Sequence, residues 1–240
     1  MAKILNSSLL LLSLLFLNSC AFQTNVIKSM EDAKKSILKI EAWERVGECD
    51  EKEMTCENYR LSSTGTGAVV LYDKQKVVLT AAHICNKKSV FESYGYYFKA
   101  IDRSSKEYII STIKYDNKAD ICILGSVSGE LEPGYIRLSL KSPEYGEISY
   151  NLGAPGGIIG GQMVPMFQGH YFGKLHGDAY YGIPAMGGSS GSPILNSKGE
   201  LIGMVHSVHY RFHHLTLSAT YERLWNFLKS EQNHTLTIQN

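Results

Sequence analysis

Short apolar runs rich in Val, Ile, Leu and Tyr recur along most of this chain, and Gly, Pro, Asn and Asp cut them apart. "TGTGAVVLY" and "KVVLTAAHIC" are separated only by "DKQ", a hairpin signal between two β-branched runs. "YGYYFKAIDR", "EYIISTIKYD" and "DICILG" continue the pattern, and "EISYNLGAPGG", "QMVPMFQGHYFGKL", "SPILN" and "ELIGMVHSV" form a second set. A convincing helical period occurs only in "TYERLWNFLKSE", where Tyr221, Leu224, Trp225 and Leu228 fall on one face. Short strands do not alternate with long helices, which argues against a doubly wound sheet. The expected fold is all-β, a sandwich or a pair of barrels closed by a C-terminal helix. The 22 glycines and 15 tyrosines suit such a turn-rich chain.

The two strand sets divide the chain. Residues 36–125 are expected to form an N-terminal β unit and residues 147–230 a C-terminal one with the helix, joined by a linker over 126–146 and followed by a tail over 231–240. Ahead of them, residues 1–19 read as an export signal: Lys3, then the apolar "SSLLLLSLLFL", then small residues. That run is short for a permanent membrane span. "LNSC" is similar to a bacterial lipobox, which would make Cys20 a lipidated first mature residue. Asn18 is unusual inside that motif, so cleavage without lipidation stays open. Residues 20–35 read as a polar tether or a short helix. Cys49, Cys56, Cys85 and Cys122 then remain, and in an exported chain four cysteines allow two disulfides. Cys49 and Cys56 flank a charged loop and can bridge locally, leaving Cys85 and Cys122. The net charge of +1, without a basic stripe, argues against a nucleic-acid partner.

"GGSSGSPIL" offers three serines to nucleophilic chemistry. Gly187 to Gly191 fits G-x-S-x-G, with Ser189 as nucleophile, but that elbow needs an acid and then a histidine downstream on an α/β scaffold. No Asp follows Asp178, only about fifty residues remain, and the strands do not alternate with helices, so this register fails on topology and on order. Gly188 to Pro193 fits G-x-S-G-x-P, with Ser190 as nucleophile. Acyl transfer needs backbone N–H groups aimed at a developing oxyanion. In this register they belong to Gly188 and Ser190, and Gly191 supplies the exit turn. His83 follows "TAA" at the end of one β run, and Asp120 leads into "ICIL" at the start of another. Asp116, in the turn-like "YDNK", is the competitor for Asp120.

The order His83, Asp120, Ser190 resembles that of the chymotrypsin-like serine proteases. "GTGAVV" resembles the early strand of that family, "TAAHIC" its histidine motif, and "GSSGSP" its serine motif as found in bacterial glutamyl endopeptidases and HtrA-type proteases. The resemblance spans roughly residues 36–230 and implies the trypsin-like fold, two antiparallel six-stranded β-barrels with the site between them. It implies His83 as general base, Asp120 as its orienting partner, Ser190 as nucleophile, protein or peptide substrates, and no cofactor. It also implies a specificity pocket walled by Pro184, Ala185 and Met186, by His206, Ser207 and Val208, and by a strand near Thr216. Pro184 stands where tryptic enzymes carry an acid, so cleavage after Arg or Lys is not expected. His206 and Thr216 suggest an acidic preference, with small or apolar residues as the alternative. The family bridge uses a cysteine directly after the histidine, where this chain has Ile84. A Cys85–Cys122 link would instead tie the His-bearing and Asp-bearing segments together.

Other clusters carry less. The histidines at 206, 209, 213 and 214 match no zinc spacing, and no metal is expected. "GAPGGIIGG" lacks the ending of a phosphate loop and reads as a turn. The rival to an exported, lipid-anchored endopeptidase is a protease-like fold kept as a binding or structural module of the cell envelope.

Overall fold

A computed structural model describes residues 24–50, 55–86, 96–161 and 163–229. The first strand set forms β1 (Ile37–Asp50), β2 (Thr55–Tyr72), β3 (Gln75–Thr80), β4 (Tyr96–Ile101), β5 (Glu107–Asp116) and β6 (Ile121–Ser126). The second forms β7 (Ile148–Leu152), β8 (Met166–Leu175), β9 (Asp178–Tyr181), β10 (Pro193–Leu195), β11 (Leu201–His209) and β12 (Phe212–Ala219). Each set closes into an antiparallel barrel, in the orders β1-β2-β3-β6-β5-β4 and β10-β11-β12-β9-β8-β7. The second order, read from β7, repeats the first strand for strand. Closure leaves neither sheet with an open edge.

Local chemistry sets the hairpins. Tyr72 pairs with Gln75 across a two-residue turn in which Asp73 and Lys74 both take positive φ, as the "DKQ" signal requires. β9 was not legible as a strand because "DAYY" is short. Its hairpin partner β8 reaches it through His176 and Gly177, both at positive φ. Alternate residues such as Leu38, Ile40 and Ala42 face the first core, while Tyr181, Ile194 and Ile202 help fill the second.

Two helices fasten the barrels from outside. Residues 24–34, read as tether or short helix, are helical (α1). Met30 and Ala33 of α1 are buried in the larger core cluster, which draws on both barrels. The terminal helix α3 (Tyr221–Lys229) comes after a single-turn α2 (Ala82–Cys85), and it buries Leu224, Phe227 and Leu228. Tyr221 donates its hydroxyl to the Ser139 carbonyl at 2.6 Å, and Lys114 of β5 donates to the Phe227 carbonyl at 3.3 Å. The connection over 126–146 therefore lies between α3 and the barrels rather than hanging free. Its Ile136 bridges to Val70 in the first barrel and its Leu138 to Leu201 in the second.

Candidate active site

The histidine run does not stay extended. β3 ends at Thr80, and Ala82–Cys85 form the single-turn helix α2. Asn86 N–H closes that turn on the Ala82 carbonyl at 2.7 Å. The segment after β5 anchors it from the other side: Ala82 N–H donates to the Asp120 carbonyl at 3.1 Å, and His83 N–H to Asp120 Oδ1 at 2.8 Å. The other carboxylate oxygen, Oδ2, lies 2.7 Å from His83 Nδ1. A carboxylate can only accept, so Nδ1 carries the proton and Nε2 is left to act as a base. Asp120 has φ 52, a left-handed conformation that Asp tolerates better than most residues. Asp116 is a turn residue: its Oδ1 accepts from the N–H groups of Lys118 and Ala119.

The three serines differ in burial. Ser189 and Ser192 are 1% and 0% exposed, whereas Ser190 is only half-buried. Ser189 Oγ accepts from Met186 N–H at 3.2 Å, and Ser192 Oγ donates to the Ser189 carbonyl at 2.6 Å. Both buried hydroxyls thus hold the loop. Ser190 sits against the first barrel, its carbonyl accepting from Thr66 N–H at 2.7 Å. Gly191 packs on the Thr66 carbonyl and on Thr80–Ala81, just before His83, where a Cβ would overlap the backbone. That contact brings the serine loop to the histidine turn. Among the described residues, the N–H groups of Gly188 and Ser190 donate to no backbone carbonyl. Gly188 has φ 90, and a Cβ there would lie 2.6 Å from the Ala154 carbonyl, so the position requires glycine.

The residues expected to wall a pocket lie near the same loop, where Gly191 N–H donates to the Val205 carbonyl and Val205 N–H to that of Ser192. Ala185 is buried and its N–H donates to the His213 carbonyl at 3.1 Å, while Pro184 is half-buried and Met186 is 61% exposed. Thr216 is fully buried and gives its hydroxyl to the Ile183 carbonyl at 2.6 Å. His206 interrupts the β11–β12 ladder between Val205 and Ser207, with Ser207 exposed and Val208 half-buried beyond it. Such a bulge re-aims a side chain. The His206 imidazole lies 3.5 Å from Asp178, a partner the sequence did not suggest. Burial holds that imidazole below its ordinary range, against the opposing pull of the Asp178 and Asp120 carboxylates. No group of three or more His, Cys, Asp or Glu is placed to hold a metal among the described residues.

Cys85 and Cys122 are disulfide-bonded, with Cα atoms 6.5 Å apart. Cys49 and Cys56 are backbone partners in the β1–β2 register, but their side chains lie outside the described residues, as does Cys20 altogether.

Solved structures share this architecture. The serine endoprotease from Yersinia pestis superposes with a TM-score of 0.65 at 14% identity, over 85% of this chain and 65% of that one. This chain therefore spans slightly less than two thirds of the Yersinia protein's length. Rv3671c from Mycobacterium tuberculosis H37Rv, in the inactive form of a serine-to-alanine mutant, gives 0.61 at 17% identity, over 88% and 93%. At these identities the likeness is one of fold. No curated protein sequence matches the chain. The trypsin-like peptidase domain matches residues 65–204, a stretch that holds His83, Asp120 and Ser190 and exceeds half of the chain. On that match and the paired barrels, the chain belongs to the trypsin-like peptidase family.

Proposed function

We propose that this chain is a serine endopeptidase working through an acyl-enzyme, with His83, Asp120 and Ser190 as its triad. The observation that carries the reading is the 2.7 Å contact between His83 Nδ1 and Asp120 Oδ2, beside a loop whose one half-buried serine is Ser190. Ser190 Oγ attacks the scissile carbonyl carbon while His83 Nε2 takes its proton. The N–H groups of Gly188 and Ser190 receive the oxyanion. Collapse of the tetrahedral intermediate breaks the C–N bond, and His83 returns the proton to the leaving amine. Water then repeats the sequence on the ester and frees Ser190. Asp120 keeps the imidazole oriented and stabilises its charged form.

A fluorophosphonate probe tests this reading against a non-catalytic binding module. Wild type, Ser189→Ala and Ser192→Ala become labelled, and Ser190→Ala does not. Labelling of Ser190→Ala, or none of wild type, would overturn the assignment. For specificity, the committed Thr216 hydroxyl and the carboxylate beside His206 favour small or apolar side chains over acidic ones. A peptide library dominated by Glu or Asp before the cleaved bond would reverse that preference. We further propose export, with Cys20 as a lipid anchor. An unmodified Cys20 in the mass spectrum of the mature protein would refute the anchor.

A further inference from the structure

Thr66 is fully buried in β2, far from the serine loop in sequence, yet every polar atom it has is engaged there or beside it. Its Oγ1 donates to the Gly188 carbonyl and accepts from Ala154 N–H, each at 2.8 Å. Its N–H donates to the Ser190 carbonyl at 2.7 Å, and its own carbonyl accepts the Thr80 hydroxyl at 2.8 Å. One side-chain oxygen therefore joins three segments: the first barrel, the turn after β7, and the serine loop.

The geometry of that loop depends on where its carbonyls are held. A trans peptide is planar, so its C=O and N–H point in opposite directions. The Gly187 carbonyl accepts from Gly156 N–H at 2.7 Å, which turns the Gly188 N–H the other way. The Ser189 carbonyl is held by Ser192 N–H at 2.9 Å and by Ser192 Oγ, which turns the Ser190 N–H likewise. The peptide between these two is held by the Thr66 hydroxyl at the Gly188 carbonyl. Gly188 has no side chain to restrict it, so its left-handed conformation depends on such outside contacts. By accepting from Ala154 N–H, the same hydroxyl also fixes the 154–157 turn that supplies Gly156 N–H.

We propose that the Thr66 hydroxyl is a positioning residue of the oxyanion site, aligning the serine loop and the 154–157 turn so that the N–H groups of Gly188 and Ser190 converge. This rests on reading those two groups as the oxyanion donors. Thr66→Val keeps shape and volume but strands two buried backbone groups, whereas Thr66→Ser keeps the hydroxyl. Losing an oxyanion donor outright costs about 100- to 1,000-fold in kcat, and loosening its support should cost about 10- to 100-fold. In Thr66→Val the fluorophosphonate labelling rate and the kcat for a peptide ester fall by that factor. KM stays within about twofold, the signature of an interaction made in the transition state. Thr66→Ser stays near wild type on every measure. Amide hydrogen exchange over residues 186–192 rises in Thr66→Val and not in Thr66→Ser, a readout that needs no turnover. A folded Thr66→Val that labels and exchanges like wild type overturns the proposal. So does a Thr66→Ser that loses as much as Thr66→Val, since the methyl group would then be the part that matters. If Thr66→Val does not fold, Thr66→Ala is held to the same criteria. Ser190→Ala, run alongside, separates the two ideas: a labelled Ser190→Ala or an unlabelled wild type sinks the triad reading, while unchanged exchange in Thr66→Val sinks the role of Thr66.

Discussion

Individual side chains in the site are assigned by what they touch. Ser189 and Ser192 are consumed in holding the loop, and the serine with no such structural duty is Ser190. His206 is the residue where pH should be felt in stability. Burial lowers its pKa in the folded chain below the ordinary 6.5. As pH falls through about 6.5, the unfolded chain takes up a proton that the folded imidazole resists. The stability tied to neutral His206 is therefore full above that value and is lost as pH drops through the lowered folded pKa. Its surroundings include Asp178, Asp120 and His83, and the two carboxylates only partly offset burial. His206→Gln removes this titration. Across a thermal-unfolding series from about pH 7.5 to 5, the variant should gain on wild type as pH falls. A difference in Tm that stays constant with pH would show that His206 does not titrate this way.

At the scale of elements, the site is a meeting of irregular pieces rather than of strands. The one-turn α2, the left-handed Asp120, the 154–157 turn and the serine loop each leave the barrel ladders. They stay ordered because they bond to one another, as with Ala82 N–H on Asp120 and Gly156 N–H on Gly187. Gly188 is one of the close contacts, where a Cβ would meet the Ala154 carbonyl and the N–H of Gly156. Gly188→Ala should lower stability by about 1–3 kcal/mol, the usual cost of a strained backbone position. It should also suppress fluorophosphonate labelling severely, because the loop must move to clear the new methyl group. Denaturant melts paired with labelling rates check both effects, and a variant that labels at the wild-type rate would contradict the close packing. Gly→Ala at Gly146, which has nothing within 4 Å, is the matched control for the conformational part alone.

For the molecule as a whole, hydrogen bonds hold the segments of the candidate site against one another, and the Cys85–Cys122 disulfide adds a covalent tie. It joins α2 to β6 directly behind His83 and Asp120, with both cysteines buried. It closes a sequence separation of 37, worth about 4 kcal/mol in the chain-entropy account. The Cys85→Ser, Cys122→Ser double variant should unfold earlier in denaturant by about that amount. A midpoint unchanged from wild type would mean that the hydrogen bonds between the two segments already suffice. The remaining framing comes from the helices. α3 reaches back from the second barrel to β5 of the first, and α1 packs against the β10–β11 turn at Gly199.

Much of this architecture was readable in the residues. Alternation and turn chemistry mark most strands, as with "DKQ" between β2 and β3, because period-two patterning and positive-φ turns are local properties. The glycines around the serine were readable for the same reason: a tight loop writes its backbone needs into adjacent positions, and Gly188 and Gly191 both take positive φ. The sequence also left Cys85 and Cys122 as the remaining pair, and the structure joins them. Other features depended on tertiary contact. The extended run around His83 turns into a helix because Asp120, distant in sequence, accepts its N–H. The partnership of His206 with Asp178 exists only because a bulge re-aims one strand toward the end of another. Thr66 reads as one more β-branched strand residue, and its hydroxyl gains a role only when barrel closure sets it beneath Gly188, across a separation of 122 residues. Hydrogen bonds at that separation leave no periodic trace in a sequence, so only the folded chain assigns them.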